Sequence, residues 1–342
     1  MLAAMDAADF DYPLPGELIA QTPVEPRDAA RLLVDRGPGH PPDHLHVTDL
    51  PDLLGPGDLL VVNDTRVRPA RLRLVKPTGG AVEVLLLDRR PDGAWEALVK
   101  PSRRVPPGSV LQTADGRPAL TVGADLGGRR LVELVDRPDG DAEPALLDTH
   151  GEVPLPPYIH EPLADPERYQ TVFAHRTGSV AAPTAGLHLT EAVLDRCRGR
   201  GVRVERIDLE VGLGTFRPLA SEKVEAHHMH AERYRVGREV MDAAATAGRV
   251  VAVGTTVVRA LESAAATGRL EGSTELFIRR GHDWRVVDVL LTNFHVPRSS
   301  LLVLVDAFVG PRWRELYEAA RTGGYRFLSF GDAMLLRRAP HR

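Results

Sequence analysis

Cysteine is nearly absent from this chain: Cys197 is the only one among 342 residues. That excludes an internal disulfide and a zinc site built on several thiolates, and it fits a reducing, cytoplasmic setting. Long hydrophobic runs are missing as well. The longest, SLLVLVDAFV, falls short of a membrane span and carries Asp306. The N-terminus, MLAAMDAADFDY, has no basic segment leading into an apolar core, so nothing marks export. Nor is there an excess of positive charge, since the formal net charge is −4. A protein that coats nucleic acid is usually basic, so RNA contact here requires a local patch. Lysine is confined to Lys76, Lys100 and Lys223, leaving arginine as almost the sole cation. Arginine suits bidentate phosphate contacts, but Ala, Gly and Pro are abundant too, and genomic base composition accounts for all four.

What is present is ordinary for a soluble globular protein: 43% hydrophobic and 26% charged residues, in a chain long enough for two domains or one large one. Near the start, VTDLPDLL reads as a short helix and LLVVN as a buried strand. From Ala70 the texture changes. ARLRLVK, AVEVLLLD, AWEALVK, SVLQTA, ALTVG and RLVELVD are short strand-like segments separated by Gly and Pro turns, which predicts a small antiparallel barrel. A Pro-rich exit, GEVPLPPYI, follows. Beyond Tyr158 strands and helices alternate. TEAVLDRCRGRG is a helix with Thr190 as N-cap, and VRVERIDLEV and RVVAV are strands. VVRALESAAATG is a helix, VVDVLLTNF a strand, and HVPRSSLLVLVDAFVG a helix with Pro297 near its start and Gly310-Pro311 as its stop. The expected fold is therefore mixed α/β: a discontinuous α/β domain over residues 1–69 and 155–342, with a small antiparallel β-barrel domain inserted at 70–154.

Three strand-to-helix junctions are candidate sites. Gly254, Thr255 and Thr256 open a helix, where free backbone N–H groups can hold a carboxylate or phosphate, although such a start is often only a Thr cap. LLTNFHVPRSS brings Asn293 and His295 to a strand end, where α/β proteins place ligands. TGSVAAPTAGLHLT is a loop of small residues that allows close approach to backbone. DLEVGLGTF only weakly resembles the glycine-rich loop of methyltransferases, because Phe216 stands where a third glycine is wanted and Arg217-Pro218 follows; it reads as a glycine-rich turn. In HHMHAERY, His228 and His230 share one face of an expected strand and His227 takes the other. Metal ligation, proton transfer and a structural role are all open there. The lack of an H-E-x-x-H arrangement or a Cys pair counts against metal, and imidazole chemistry near neutral pH favours proton transfer.

Taken in order, YPLPGELIAQTPVEPRDAARLLV, VVNDTRVRPARL, GSVAAPTAGLHLT, GLGTFRPL, HHMHAERY, VGTTVVRALES, LLTNFHVPRSSLL and YRFLSFGDAML resemble the S-adenosylmethionine:tRNA ribosyltransferase-isomerase family of queuosine biosynthesis, from about Phe10 to Leu336. The resemblance implies transfer of the ribosyl group of S-adenosylmethionine to a 7-aminomethyl-7-deazaguanine in the tRNA anticodon. Epoxyqueuosine-tRNA, adenine and methionine are the products. It implies tRNA and S-adenosylmethionine as partners, no metal, no cofactor beyond the consumed S-adenosylmethionine, no membrane and no protein partner. His188, His228, His230 and His295 are then the candidates for acid–base work. Gly254, Thr255 and Thr256, with Arg259 a turn later, suit the methionine carboxylate, Asn293 stands beside them, and Asp64 and Arg66 suit ribose hydroxyls or the incoming base.

Departures from the family pattern are few: His175 where Lys is common, Arg279-Arg280 before Gly281 where Tyr-Pro is frequent, and Arg298 for Lys. For RNA, Arg66, Arg68, Arg71 and Arg73 are the first candidates and Arg279-Arg280 the next. Two rivals have different signatures. A metal hydrolase on the histidine cluster would carry bound metal, and a non-catalytic RNA-binding barrel would leave S-adenosylmethionine intact.

Overall fold

The computed structural model describes residues 5–135, 142–212, 219 and 221–339. It divides into two units, Met1–Arg66 with Pro156–Arg342, and Val67–Leu155. The GLGTFRP segment lies outside the described residues apart from Gly212 and Leu219 to either side.

The larger unit is organised by β3 (Asp58–Asn63), the LLVVN strand, which is buried along its whole length. Apolar residues on both faces of a strand demand cover on both sides, the condition of a parallel strand inside an α/β sheet. It lies in a nine-stranded sheet. From one edge the order is β16 (Glu271–Thr274), β14 (Glu232–Val236), β13 (Arg203–Leu209), β3, β15 (Arg249–Val253), β17 (Val289–Asn293), β18 (Ala333–Arg337), β1 (Arg31–Val34) and β2 (Asp43–His46). β13, β3, β15 and β17 run parallel. β18 is antiparallel to β17 and parallel to β1, and β14, β16 and β2 are antiparallel to their neighbours.

Alternate residues face opposite layers, as strand geometry requires. Leu59, Val61, Val250, Ala252 and Leu290 pack with α5 (Thr255–Thr267), α6 (Ser300–Val309) and α7 (Trp313–Thr322). Leu60, Val62, Val251, Val253 and Leu291 pack with α1 (Leu50–Leu53) and α3 (Glu191–Gly199). α4 (Arg238–Thr246) covers the edge near β13 and β14, contributing Val240 and Ala243 to the first layer. Thr190 caps α3, its hydroxyl accepting from the Val193 amide at 3.2 Å.

Two boundaries differ from the sequence reading. α6 begins at Ser300 under a Ser299 cap rather than near Pro297, because Arg298 takes a left-handed φ of 56° that interrupts any helix started earlier. Gly310 does end α6, but Gly310–Arg312 forms a 3-10 turn that leads straight into α7.

The smaller unit is a closed antiparallel barrel: β5 (Arg71–Val75), β6 (Ala81–Arg89), β7 (Trp95–Lys100), β10 (Arg130–Leu134), β9 (Pro118–Asp125) and β8 (Ser109–Gln112), in that spatial order. Val75 opposite Gln112 closes it. These strands coincide with the six segments expected from alternation, whose inward residues (Leu72, Val84, Trp95, Leu120, Val132) are buried. Two elements had no clear sequence signal: α2 (Ala142–His150) and β11 (Gly151–Glu152), which pairs with β5. The short strands β4 (Thr65–Val67) and β12 (Arg176–Ser179) lie outside both sheets.

Arg259 joins α5 to the sheet edge. It is 3% exposed, forms an ion pair with Glu232 and donates to the carbonyls of Leu276 (3.0 Å) and Thr274 (3.2 Å). The expected role of Arg259 as a carboxylate ligand is therefore corrected: its guanidinium is committed to β14 and to the chain after β16. Removing one partner of a buried pair leaves an uncompensated charge, typically a loss of about 3–5 kcal/mol. Arg259→Met should lower stability by that order in urea unfolding, and adding Glu232→Gln should restore part of it.

Candidate functional site

The parallel strands β15 and β17 end beside each other, and the chain after each turns into a helix. Open sheets bind ligands in the crevice outside such carboxyl ends. Here two adjoining hollows share a wall of Thr184, Asn293, His295 and Leu301. The first is lined by small residues, Ala182 to Ala185, and by the α5 start, Gly254, Thr255 and Thr256. Gly254 has φ 91°, a left-handed value that suits glycine, and no side chain caps the helix, so its first amides are left without a side-chain acceptor. The second hollow adds Tyr158, Val296, Leu328 and Ser329.

The small-residue stretch is not simply a loop. Thr184–His188 is a 3-10 turn, and it presents Thr184 and His188 to Asn293. Thr184 Oγ1 donates to Asn293 Oδ1 at 3.0 Å, while Asn293 Nδ2 reaches the Leu328 carbonyl at 3.1 Å and His188 Nε2 at 2.9 Å. Because a carbonyl can only accept, the Leu328 bond fixes which end of the amide carries the nitrogen, and His188 Nε2 must be an acceptor. Burial, with smaller contributions from Arg326, Arg27 and Arg168, pushes His188 down to about 4. His188 is therefore a neutral support for Asn293, not a proton donor at the cavity, which revises its expected acid–base role.

His295 lines both hollows. Burial alone pushes it down to about 3. Its Nε2 lies 2.9 Å from Thr292 Oγ1, and two phenols hold its backbone: Tyr317 OH accepts from the amide at 3.0 Å and Tyr12 OH donates to the carbonyl at 2.5 Å. Neither tyrosine was singled out from sequence, although Tyr12 sits in the YPLPG segment. Leu328, in YRFLSFGD, was missed as well. Its φ of 69° is unusual for a branched residue, and the turn is fixed by Asp332, whose carboxylate accepts from the Arg31 and Arg326 amides at 2.8 Å.

Other expected residues lie elsewhere. The strand reading of HHMHAERY is incorrect: Val224–Ala226 is a 3-10 turn, residues 227–231 are irregular, and β14 begins only at Glu232. His228 and His230 are nevertheless exposed together, while His227 is half-buried edge-on to Phe277 at 5.3 Å. Burial, then His230 and His228, lowers the pKa of His227. Among the described residues no three His, Cys, Asp or Glu side chains converge as a metal site. Asp64 does not line either hollow. It is 8% exposed, one carboxylate oxygen lacks a hydrogen-bond partner, and burial raises its pKa against the opposing pull of Arg176, Arg206 and His175. Arg66 is paired with Glu167.

The arginines proposed for RNA are mostly occupied: Arg73 by Glu152 at 2.8 Å, Arg71 by Glu83 at 3.9 Å, Arg279 by Glu225 at 3.7 Å and Arg280 by Asp306 at 2.6 Å. Arg68 lies over the Trp95 ring. Among the described residues no helix is long and apolar enough to cross a membrane.

A crevice at the carboxyl ends of parallel strands, with a helix start and a buried neutral histidine in its wall, defines an α/β enzyme of the open-sheet class. The family model described as "Queuosine biosynthesis protein" matches residues 7–336. Proteins named S-adenosylmethionine:tRNA ribosyltransferase-isomerase are 53% identical in Rubrobacter xylanophilus, over 97% of this chain and 98% of that protein, and 51% identical in Thermus thermophilus, over 96% and 98%. The crystal structure of S-adenosylmethionine tRNA ribosyltransferase from Thermotoga maritima is 34% identical, with a TM-score of 0.54 over 96% of this chain and 99% of that one. The chain belongs to the S-adenosylmethionine:tRNA ribosyltransferase-isomerase family of queuosine biosynthesis.

Two measurements follow from the hydrogen bonds. Tyr317→Phe leaves the buried His295 amide without its acceptor and should cost about 1–3 kcal/mol in urea unfolding; no change would mean that the phenol does not hold His295. For His188 the folded value near 4 lies below the ordinary 6.5, so between these values the unfolded chain binds the extra proton. Its contribution to stability is complete above pH 6.5 and is lost as the pH falls towards 4. His188→Gln should flatten the decline in melting temperature between pH 7 and 4.5 relative to the parent, and an identical slope would contradict the assignment.

Proposed function

We propose that this enzyme transfers and isomerises the ribosyl group of S-adenosylmethionine onto 7-aminomethyl-7-deazaguanine in a tRNA anticodon, giving epoxyqueuosine-tRNA, adenine and methionine. The observation that carries the reading is the match over nearly the whole chain to proteins named for ribosyl transfer and isomerisation. The cavity is compatible with it. On this reading the α5 start at Gly254, Thr255 and Thr256 holds the methionine carboxylate through backbone N–H groups.

A base takes the proton beside the sulfonium, the sugar opens, and adenine leaves with the electrons of its glycosidic bond. The aminomethyl nitrogen then attacks the sugar, and closure of the epoxide expels neutral methionine sulfur. His295 hydrogen-bonds the reacting nucleoside, and Asn293, whose two amide protons are already used, can only accept from it through its oxygen. His295 acts as a neutral imidazole, since its low basicity does not suit it to store a proton. His188 orients Asn293. The exposed His228 and His230 are the candidates for the proton-accepting role, and Asp64 for a contact with the incoming amine. Arg66 reaches an RNA phosphate by exchanging Glu167 for it. S-adenosylmethionine is consumed, no cofactor or metal is required, no protein partner is needed, and the reaction takes place in the cytoplasm with tRNA.

Incubation with precursor-bearing tRNA and S-adenosylmethionine, followed by nucleoside mass spectrometry and adenine quantification, tests the reading. Epoxyqueuosine with one adenine per turnover is expected. A methylated nucleoside, or no new nucleoside from a competent substrate, would refute it. His228→Ala and His230→Ala should each lower single-turnover rates by about 10²–10⁴ while the protein remains folded, and His295→Ala, which removes a hydrogen-bonding group, by about 10²–10³. His227→Ala, which loses the Phe277 contact, should mainly lower the melting temperature.

A further inference from the structure

Most exposed arginines of this chain are matched by a carboxylate, and one end of the barrel is the exception. There the β5–β6 turn and the end of β7 bring Lys76 and Lys100 to the 3-10 turn Ser102–Arg104, which carries Arg103 and Arg104. Lys76 Nζ donates to the Arg104 carbonyl at 3.3 Å and so ties the two turns together. Lys100, Arg103 and Arg104 are exposed, and among the described residues none of the four cations has an ion pair. Glu83, opposite Lys100 in the sheet, lies instead 3.9 Å from Arg71. Arg176 and Arg206 also lack an ion pair, but they lie near the Asp64 carboxylate. Cations gathered without counter-charge repel one another, and a chain of phosphates removes that cost.

We infer that this end of the barrel is an RNA-docking surface, on which Lys76, Lys100, Arg103 and Arg104 hold phosphates of the tRNA backbone independently of base sequence.

Three further observations support this surface. A fifth positive charge lies beneath the turn: Arg130 is 4% exposed and has no carboxylate partner among the described residues. Its guanidinium donates to the carbonyls of Val105 and Gly123 at 2.8 Å and of Ser102 at 3.4 Å, which fixes the backbone that presents Arg103 and Arg104. Gly80 makes room for the lysine, since a Cβ there would lie 2.7 Å from Lys76 Cε, on the path by which the side chain folds back over its turn. The stretches KPTGG at 76–80 and KPSRRVPPGS at 100–109 hold no aromatic ring on which a base could stack. Contacts to backbone phosphates position a nucleic acid without reading its sequence.

The inference rests on tRNA as the proposed substrate, and binding is measured apart from turnover, by fluorescence anisotropy of a labelled tRNA transcript with the full-length protein. Changing all four cations to Gln should weaken binding by about tenfold or more at low salt. It should also lower the slope of log affinity against log salt by about 2–3, since each phosphate contact contributes roughly 0.7–0.9. The loss should be the same for transcripts with different anticodon loops, and the melting temperature should not fall, because repulsion is relieved. Changing Arg36, Arg117, Arg235 and Arg321 to Gln, each of which is paired with a carboxylate, should leave affinity and slope unchanged. An unchanged slope in the first variant, or equal losses in both, would overturn the assignment. Should the variant not fold, the unaltered protein decides, because Lys76 and Lys100 are two of only three lysines. Acetylation with an amine-reactive ester in the presence of tRNA should spare these two and modify Lys223 as before. Undiminished labelling of Lys76 and Lys100 with tRNA bound, or their protection by anionic lipid vesicles and not by tRNA, refutes the surface. Epoxyqueuosine formed without protection would leave the reaction standing and remove the surface; protection without epoxyqueuosine would do the opposite.

Discussion

The carboxamide of Asn293 joins three segments that are far apart in sequence. Its oxygen accepts from Thr184 in the small-residue turn, and its nitrogen donates to His188 in the same turn and to Leu328 in the YRFLSFGD turn. Both amide protons are thereby used, and they can be used in only one orientation. Asn293 is itself the last residue of β17, so the sheet sets its position, and Ala333 of β18 pairs opposite it. The cavity wall is consequently an extension of the sheet rather than a flexible loop. A donor-less replacement there would remove the bonds to both turns at once, leaving Leu328 tied only through its amide to the Phe294 carbonyl.

Burial then determines the chemistry of the wall. A histidine removed from water is harder to charge, and both His188 and His295 are driven well below neutrality. One of them accepts from Asn293, and the other is fixed by Tyr12 and Tyr317 through its backbone. The phenols in turn belong to an aromatic cluster: Tyr12 meets Tyr317 edge-on at 5.0 Å, and Tyr317 meets Phe294 at 5.4 Å. Hydrophobic packing under the cavity and hydrogen bonding at its surface are thus the same residues acting through different atoms.

The barrel was legible because its signal is local. Each strand alternates within four to nine residues, and Gly or Pro marks each turn. α2 was not, since its AEPALLDTH sequence places Pro144 inside the segment, and proline reads as a stop even though the first turn of a helix tolerates it. The site was half legible. Gly254, Asn293 and His295 follow from the rule that ligands gather at strand ends. Arg259 misled because its partner, Glu232, is 27 residues away, and a buried pair between distant positions looks in sequence like two surface charges. HHMHAERY misled for a related reason: alternation of polar residues resembles a strand, whereas the true strand is announced by buried Glu232, Tyr234 and Val236 just beyond it.

Charge balance in the cavity bears on the proposed reaction. Among the described lining residues of both hollows there is no carboxylate, and the helix start contributes partial positive charge. S-adenosylmethionine would bring a carboxylate, which that end attracts, and a sulfonium, which finds no counter-charge in the wall. A cation without a partner in a low-dielectric site is raised in energy relative to a neutral form. Loss of the proton beside sulfur converts the sulfonium into a net neutral ylide, and so relieves that penalty at the step that begins the proposed sequence. An uncharged wall with one polarised end is therefore compatible with the proposed deprotonation of the substrate.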